Sequence, residues 1–287
     1  MDCKVILNVN PQAFGEYANM IKYSLEELGH NAEVIEADIN GKPPVEGDLN
    51  IVTRAFRPYR QLSGSRDGNR QVLFQSEELW HSRDSGTYDC RENGAAWERT
   101  LELYKDNADL PNKANHNVVW TPYGYSKAYE TDLSEVDEDI DILFFGASIP
   151  FRADHWKELV NHPAMKGKNL LHVNNVYGIE RDKLIMRAKI IINIKVTPRW
   201  SYPPLRALLC QCKKKMFMCH DPNGGIDPFV SGKHFLEFSD MNHLAEMSQE
   251  WLDNNSRRNE FAVNAYEDIA RYHSFTDHLR TGLSGLI

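Results

Sequence analysis

The sequence predicts an α/β protein built from two doubly wound parallel sheets. Three observations carry that expectation. Short β-branched runs, such as Ile190 to Ile194, read as strands buried on both faces. They alternate with segments whose apolar residues recur at helical spacing, as in Phe14, Tyr17, Ala18, Ile21, Leu25 and Leu28. The alternation breaks at Pro122 to Asp139 and then restarts, which divides the chain into two similar halves.

In the first half, Lys4 to Val9 reads as an apolar strand, followed by the turn Asn10-Pro11-Gln12-Ala13. The helix from Phe14 to Leu28 closes on Gly29, a good residue just past a helix end. Asn31 to Ala37 completes a βαβ unit. No G-x-G-x-x-G follows its first strand, so the usual dinucleotide fingerprint is missing. Asp48 to Thr53 and Gln71 to Gln75 are further strands, Ala95 to Tyr104 a helix, and Asn117 to Thr121 a strand. The reading gives a first domain over 1–125, an acidic linker over 126–139 and a second domain over 140–287 that includes the C-terminal helices.

The second half opens with the strand Ile140 to Phe145, ending in Gly146-Ala147-Ser148. Arg152 to Asn161 is a helix, Asn169 to Val173 a strand and Glu180 to Arg187 a helix. The stretch that organises this half is KIIINIKVTPRWSYPPLRALLCQC, Lys189 to Cys212. It reads as buried strand, loop and helix, with Ser201 as N-cap and Pro203 and Pro204 in the first positions. A helix start after a strand is the standard phosphate position in an α/β fold. Arg206 falls in that first turn, where the helix dipole disfavours a cation by roughly 0.3–1 kcal/mol. Either a bound anion removes the conflict or the side chain points into solvent. Met216 to Cys219 and Phe235 to Phe238 are the last strands, and Asp240 to Leu252 and Arg257 to Tyr272 are helices.

The totals narrow the classes. Hydrophobic residues at 41% and charged residues at 26% make the chain globular rather than disordered. A net charge of −8 argues against a general nucleic-acid coat but leaves room for a local basic groove. MDCKVILNVN runs straight into a strand without a signal-peptide pattern, and no apolar run approaches the ~20 residues of a membrane span. Five Cys without paired spacing fit a reducing cytoplasm. Cys210 and Cys212 read as small buried hydrophobes, and Cys3, Cys90 and the His residues show no metal-ligand spacing. Asp139-Ile140-Asp141 has the D-x-D spacing of a metal-binding pair, with a solvated strand start as the plainer reading.

Further residues follow strand ends. Glu77, Glu78 and His81 come after Gln71 to Gln75, where a carboxylate or imidazole can deprotonate a hydroxyl; a helix first turn also favours Glu. Asn10 and Gln12 either position a substrate or form a turn. The stretch Arg54 to Arg70, RAFRPYRQLSGSRDGNR, holds five arginines against one acid, Asp67. Arg54, Arg57 and Arg60 interleave with Phe56 and Tyr59, a pattern that suits phosphates and stacked bases, or a solvated loop paired with acids elsewhere.

Several motifs carry a family likeness: Asp141-Ile-Leu-Phe-Phe-Gly146 with Arg152, Tyr177-Gly178-Ile179, Ala188-Lys189-Ile-Ile-Ile-Asn193, Leu205-Arg206 and Phe229-Val-Ser-Gly-Lys233. Phe74-Gln75-Ser76-Glu77 and Trp120-Thr-Pro-Tyr-Gly-Tyr125 match more loosely. Through them the chain resembles the GT-B glycosyltransferases, and most closely the CgeB-like group. The two-Glu motif of many retaining members is absent, since the helix reads PPLRALLCQC, so the stereochemistry stays open. The resemblance implies two Rossmann-like domains facing across a cleft and a hexosyl- or pentosyltransferase with a nucleotide-sugar co-substrate, a UDP-sugar. It implies neither a prosthetic group nor an essential metal. Gly146, Ser148, Arg152, Tyr177, Lys195 and Arg206 would hold the donor. Asn10, Gln12, Arg54, Phe56, Arg57, Tyr59 and Arg60 would hold the acceptor, and Glu77, Glu78 or His81 would act as base. The arginine stretch points to DNA carrying 5-hydroxymethylpyrimidines as acceptor, an activity this fold hosts in bacterial viruses. A polysaccharide or surface glycan, or a non-catalytic nucleotide-binding module, are the alternatives.

Overall fold

The computed structural model describes residues 1–7, 11–36, 47–54, 70–76, 98–108, 117–132, 136–198, 202–222 and 226–287. They form two compact units, Met1–Ala128 with Ser274–Ile287, and Tyr129–His273. Among these residues no helix is long and apolar enough to cross a membrane.

In the first unit, β1 (Asp2–Leu7) is followed by α1 (Pro11–Glu27), β2 (Asn31–Glu36), β3 (Leu49–Arg54) and β4 (Arg70–Gln75). Then come β5 (Arg99–Glu102), α2 (Lys105–Ala108) and β6 (Asn117–Trp120). All six strands are parallel, in the order β2-β1-β3-β4-β5-β6. Val5, Ile51, Val52, Val72, Leu73 and Phe74 are fully buried, as expected for strands covered on both faces. Helix α1 lays Ala18, Ile21 and Leu25 on this sheet and ends at Gly29 with φ +84°. There the Gly29 and His30 amides donate to the carbonyls of Glu26 and Leu25, which closes the helix end. The sheet order reverses between β1 and β3. Leu7 pairs with Thr53 and Arg54 with Gln75, so β1, β3 and β4 end side by side on the carboxyl edge.

Two expectations fail here. Of the helix expected over Ala95 to Tyr104, Ala95 to Trp97 lie outside the described residues, Arg99–Glu102 is instead strand β5, and the described helix begins only at Lys105. Arg99 to Glu102 sit between β4 and β6, and that non-local pairing outweighs local propensity. The chain end also departs from a second domain over 140–287. Helix α8 (Phe275–Gly282) packs on α1 in the first unit. The Phe275 ring lies edge-on to Phe74 at 6.2 Å, and Thr276 Oγ1 donates to Glu27 at 2.5 Å. Arg70 and Arg99 donate to the carbonyls of Leu286 and Gly282 at 2.5 and 2.6 Å. A Cβ at Gly282 would stand 2.6 Å from Thr121 Oγ1, so a bare backbone is needed for this approach.

The second unit holds β7 (Ile140–Phe145), α3 (Pro150–Asn161), β8 (Leu170–Val173), α4 (Gly178–Arg187) and β9 (Ala188–Asn193). It continues with α5 (Pro204–Gln211), β10 (Met216–His220), β11 (Leu236–Phe238), α6 (Met241–Asp253) and α7 (Asn255–Tyr272). The parallel order is β11-β10-β9-β7-β8. One core joins Ile142, Phe144, Ile190, Ile192, Met216 and Met218 to Leu244 and Trp251 of α6. Asp240 and Asn254 cap α6 and α7 by accepting from the amides of His243 and Arg257 at 2.9 and 3.0 Å. Helix α5 has no such cap: its N-cap is Pro203, and Ser201 lies outside the described residues.

The stretch expected as a linker is tied to this unit. Lys213 Nζ donates to the Tyr129 carbonyl at 2.7 Å, and Tyr266 Oη to Glu130 at 2.6 Å. Thr131 donates to Asp182 at 2.7 Å, and Lys215 to Glu138 at 2.5 Å. Glu130 and Glu138 therefore have partners in this unit, while Asp132, Asp137 and Asp139 are exposed.

Candidate functional site

Strand β7 is first in its sheet; β8 is added on one side and β9 on the other. The carboxyl ends of β7 and β9 thus flank the point where the winding reverses, the usual ligand position in such a sheet. Gly146 stands there with φ +151°, a conformation open to glycine. A Cβ on it would lie 3.0 Å from Nη2 of Arg206 and 3.3 Å from Nη1 of Arg152, so both guanidiniums converge on the space glycine leaves. The Gly146 amide donates to the Val173 carbonyl at 2.9 Å, and its carbonyl accepts from His172 Nε2 at 3.0 Å. The Gly146 amide is thus committed to the sheet, and the residue contributes room for the arginines.

Alternation along β7 separates the supports of the two cations. Phe144 and Phe145 face opposite sides of the sheet. The Arg152 guanidinium, from the first turn of α3, lies 5.6 Å from the Phe144 centroid. That of Arg206, from α5, lies 5.3 Å from the Phe145 centroid, and Arg181 approaches the same ring at 6.0 Å. Arg152 Nε donates to the Ile194 carbonyl at 2.8 Å. Nη1 of Arg206 donates to Oδ1 of Asn193, the last residue of β9. Arg152 is 5% exposed, and burial together with the charge of Arg206 lowers its pKa to about 9. Two like charges held this close each disfavour the other's charged form.

Lys195 follows β9 on the same edge. Its Nζ donates to the Asp221 carbonyl at 3.2 Å and stands 3.7 Å from the Asp221 carboxylate. His220, at the end of β10, donates from Nε2 to the Ser239 carbonyl at 3.1 Å and stacks on Phe238. Burial, then Lys195 and His155, push its pKa down to about 4, so it is neutral at physiological pH. The structure therefore brings Gly146, Arg152, Lys195 and Arg206 to one edge. Ser148 and Tyr177 are exposed, and no described contact joins them to the arginine pair. The reading by sequence gave no role to Asn193, His155, His172 or His220. An amide ending an apolar strand was the available signal for Asn193.

The other expected site residues fall elsewhere. Asn10, Phe56, Arg57, Tyr59, Arg60, Glu77, Glu78 and His81 lie outside the described residues. The backbones of Gln12, in the first turn of α1, and Arg54, ending β3, are placed, but not their side chains. Asp139 and Asp141 sit at the amino end of β7, opposite the arginines. Arg187 donates to both oxygens of Asp139 at 2.7 and 2.6 Å, and Lys189 donates to Asp141 at 2.7 Å. His234, Asp268 and His273 cluster closely enough for a metal. His234 Nδ1 accepts from the Val230 amide at 2.9 Å, so Nε2 carries the proton it shares with Asp268 at 2.8 Å. Lys233 adds a second donor to Asp268 at 2.8 Å, and this set reads as a closed hydrogen-bonded cluster.

The model of the glycosyl transferase-like family matches residues 131–284, more than half of the chain. No curated protein matches the sequence. Solved structures match over nearly the whole chain at low identity. An alpha-glucosyltransferase solved with UDP and a 13-mer DNA containing a HMU base aligns with a TM-score of 0.69 at 9% identity, over 99% of this chain and 98% of that one. Anabaena HepE, solved with UDP and glucose, aligns with 0.61 at 9% identity, over 99% of each chain. T4 phage BGT, solved with UDP and Mn2+, aligns with 0.59 at 10% identity, also over 99% of each. The chain belongs to the glycosyl transferase-like family, and its two parallel sheets are those of the GT-B fold.

Proposed function

We propose that the chain transfers a sugar from a UDP-sugar to the hydroxymethyl oxygen of a 5-hydroxymethylpyrimidine in DNA. The observation that carries the donor half is the convergence of Arg152 and Arg206 over Gly146 at the winding reversal, inside the half that the family model matches. In this reading the two guanidiniums and Lys195 hold the diphosphate. As the bond from the sugar's anomeric carbon to the diphosphate breaks, the electron pair leaves with UDP, and fixed cations stabilise that charge. The anomeric carbon joins the acceptor oxygen, whose proton passes to Glu77, Glu78 or His81. Ser148 and Tyr177 complete the donor side from the loops after β7 and β8.

Two features support DNA as acceptor. The alpha-glucosyltransferase with the TM-score of 0.69 was solved with DNA containing a HMU base. The arginine-rich stretch leaves β3 at Arg54, next to the strand that leads to Glu77, in a chain of net charge −8. Asn10, Gln12, Arg54, Phe56, Arg57, Tyr59 and Arg60 then hold the acceptor, which would have to leave the base stack to react. The chain is in this reading a bacteriophage DNA-modifying enzyme, related to the CgeB-like group, working in the host cytoplasm. Incubation with UDP-glucose and duplexes bearing 5-hydroxymethylcytosine, 5-hydroxymethyluracil or neither tests it by mass. Transfer to a hydroxymethylated duplex alone is the expected result. Sugar transfer only to glycan acceptors would replace the DNA half, and failure to bind any nucleotide-sugar would remove the whole.

A further inference from the structure

Strands β9 and β10 run side by side with Asn193 opposite Cys219. Lys195 and Asp221, each two residues further on, therefore leave the sheet together at its carboxyl edge. Lys195 is 7% exposed; its Nζ donates to the Asp221 carbonyl at 3.2 Å and stands 3.7 Å from the Asp221 carboxylate. The Asp221 amide donates to the Phe238 carbonyl at 2.8 Å, so the main chain is held while the carboxylate remains half-exposed. Among the described residues each is the other's one oppositely charged contact. Arg152, on the same edge, meets a carbonyl and a ring instead. One cation of the edge is thus screened by a carboxylate that is open to solvent, at a distance too long for a hydrogen bond.

We infer that Asp221 is a positioning residue that acts through Lys195: it holds the pair close to neutral and so favours the UDP-sugar over the UDP that transfer leaves behind. The reason lies in the charge of the two ligands. When the bond from the anomeric carbon to the diphosphate breaks, the electron pair stays on the terminal phosphate, which then carries about one further negative charge near neutral pH. A fixed carboxylate beside the cation weakens the more highly charged ligand more. Release of the product is thereby favoured with no change at Arg152 and Arg206. This inference rests on the donor reading above in so far as the anion belongs to a nucleotide.

The test uses the full chain and compares Asp221→Asn and Asp221→Glu with the parent. Calorimetry near neutral pH reads affinities for UDP, UDP-glucose, inorganic pyrophosphate and uridine, and ligand-free thermal stability is recorded. Asp221→Asn should tighten UDP and pyrophosphate about fivefold and UDP-glucose about twofold, leaving uridine unchanged. Its ligand-free melting temperature should fall or stay level, since a half-exposed ion pair is lost. Tighter anion binding in a protein no more stable than the parent is not what a merely structural residue produces. Asp221→Glu keeps the charge and should return UDP toward the parental affinity. Asp221→Ala should repeat the gain of the Asn variant, which keeps the inference testable if that variant does not fold. Equal factors for UDP and UDP-glucose, unchanged or weaker UDP binding in the Asn and Ala variants, or a Glu variant that behaves like Asn would overturn it. If the parent binds pyrophosphate but neither nucleotide, the donor reading fails while the effect of Asp221 still stands or falls on pyrophosphate. Binding of none of these anions by the parent overturns both.

Discussion

The two ends of strand β7 solve the same problem in opposite ways. At the amino end each charge meets its opposite: Asp139 takes a two-pronged contact from Arg187, and Asp141 takes Lys189. At the carboxyl end Arg152 and Arg206 meet a carbonyl, an amide and aromatic rings, and converge on each other. Charge that is matched locally holds a fold together. A buried cation beside a carbonyl and a ring, as Arg152 is, costs stability unless a ligand supplies its opposite. In the reading proposed above, the difference separates the charges paired beside the start of β7 from those that would meet the donor, although both sets lie on one sheet.

The strongest way to break this comparison is to remove a cation from each end. Arg206→Ala should cost about 1.5–3 kcal/mol of UDP affinity, the worth of a charge-assisted contact. Arg187→Ala should leave UDP affinity at the parental value. Calorimetric titration of both variants against UDP checks this. Equal affinities in the two variants would mean that the carboxyl-end pair is as inert toward ligand as the amino-end one.

A pH titration sharpens the same contrast. Burial and Arg206 lower the Arg152 pKa to about 9, far below its unfolded value. The anion requires the protonated form, so from about pH 7, where the terminal phosphate of UDP is ionised, affinity should stay level to about 9 and fall above it, by up to tenfold per pH unit. Stability moves the other way. Between pH 9 and the unfolded pKa the unfolded chain binds more protons, so the contribution of Arg152 to stability rises with pH across that window. The ion pairs at the amino end predict no change in ligand binding over this range. Affinity that stays level to pH 10.5 would show that Arg152 keeps its proton, or that the ligand does not need it.

Much of this was legible in the sequence, for identifiable reasons. Ile140 to Phe145 is bounded by polar residues on one side and Gly146 on the other, and the observed strand has those limits. Arg206 stood out because a cation in a first helical turn is unfavourable in isolation. What stayed hidden depends on contacts between distant residues. Arg99 to Glu102 became a strand only by pairing with β4 and β6. Helix α8 shows an apolar face in Phe275, Leu279 and Leu283, but periodicity does not say which sheet a helix covers. Gly146 was expected to hold the donor, yet only the Val173 pairing shows that its amide is committed, and only the arginines' positions show what its missing side chain makes room for. Asn193 looked like the end of a strand until Arg206 was found on it.

The smallest expected effect concerns the D-x-D spacing. Asp141 is drawn up by burial, but the hydrogen bonds from Lys189 and the Asn169 amide, with the charge of Lys189, outweigh this and hold it below the usual carboxylate range. Both of its oxygens are engaged, by Lys189 Nζ and the Asn169 amide at 2.7 Å each. Asp139 is likewise lowered by the Arg187 contact. A metal taken by this pair would have to displace two cations at the end of the strand remote from Gly146. Asp141→Asn should therefore cost about 1 kcal/mol of stability, the worth of a partly exposed ion pair, and leave both UDP affinity and its response to chelator at the parental level. Sugar transfer by the parent should likewise persist in EDTA, with Arg152, Arg206 and Lys195 carrying the diphosphate charge. Transfer that stops in chelator, returns with Mn2+ and fails to return in Asp141→Asn would make the amino end of β7 part of the chemistry and erase the contrast between the two ends.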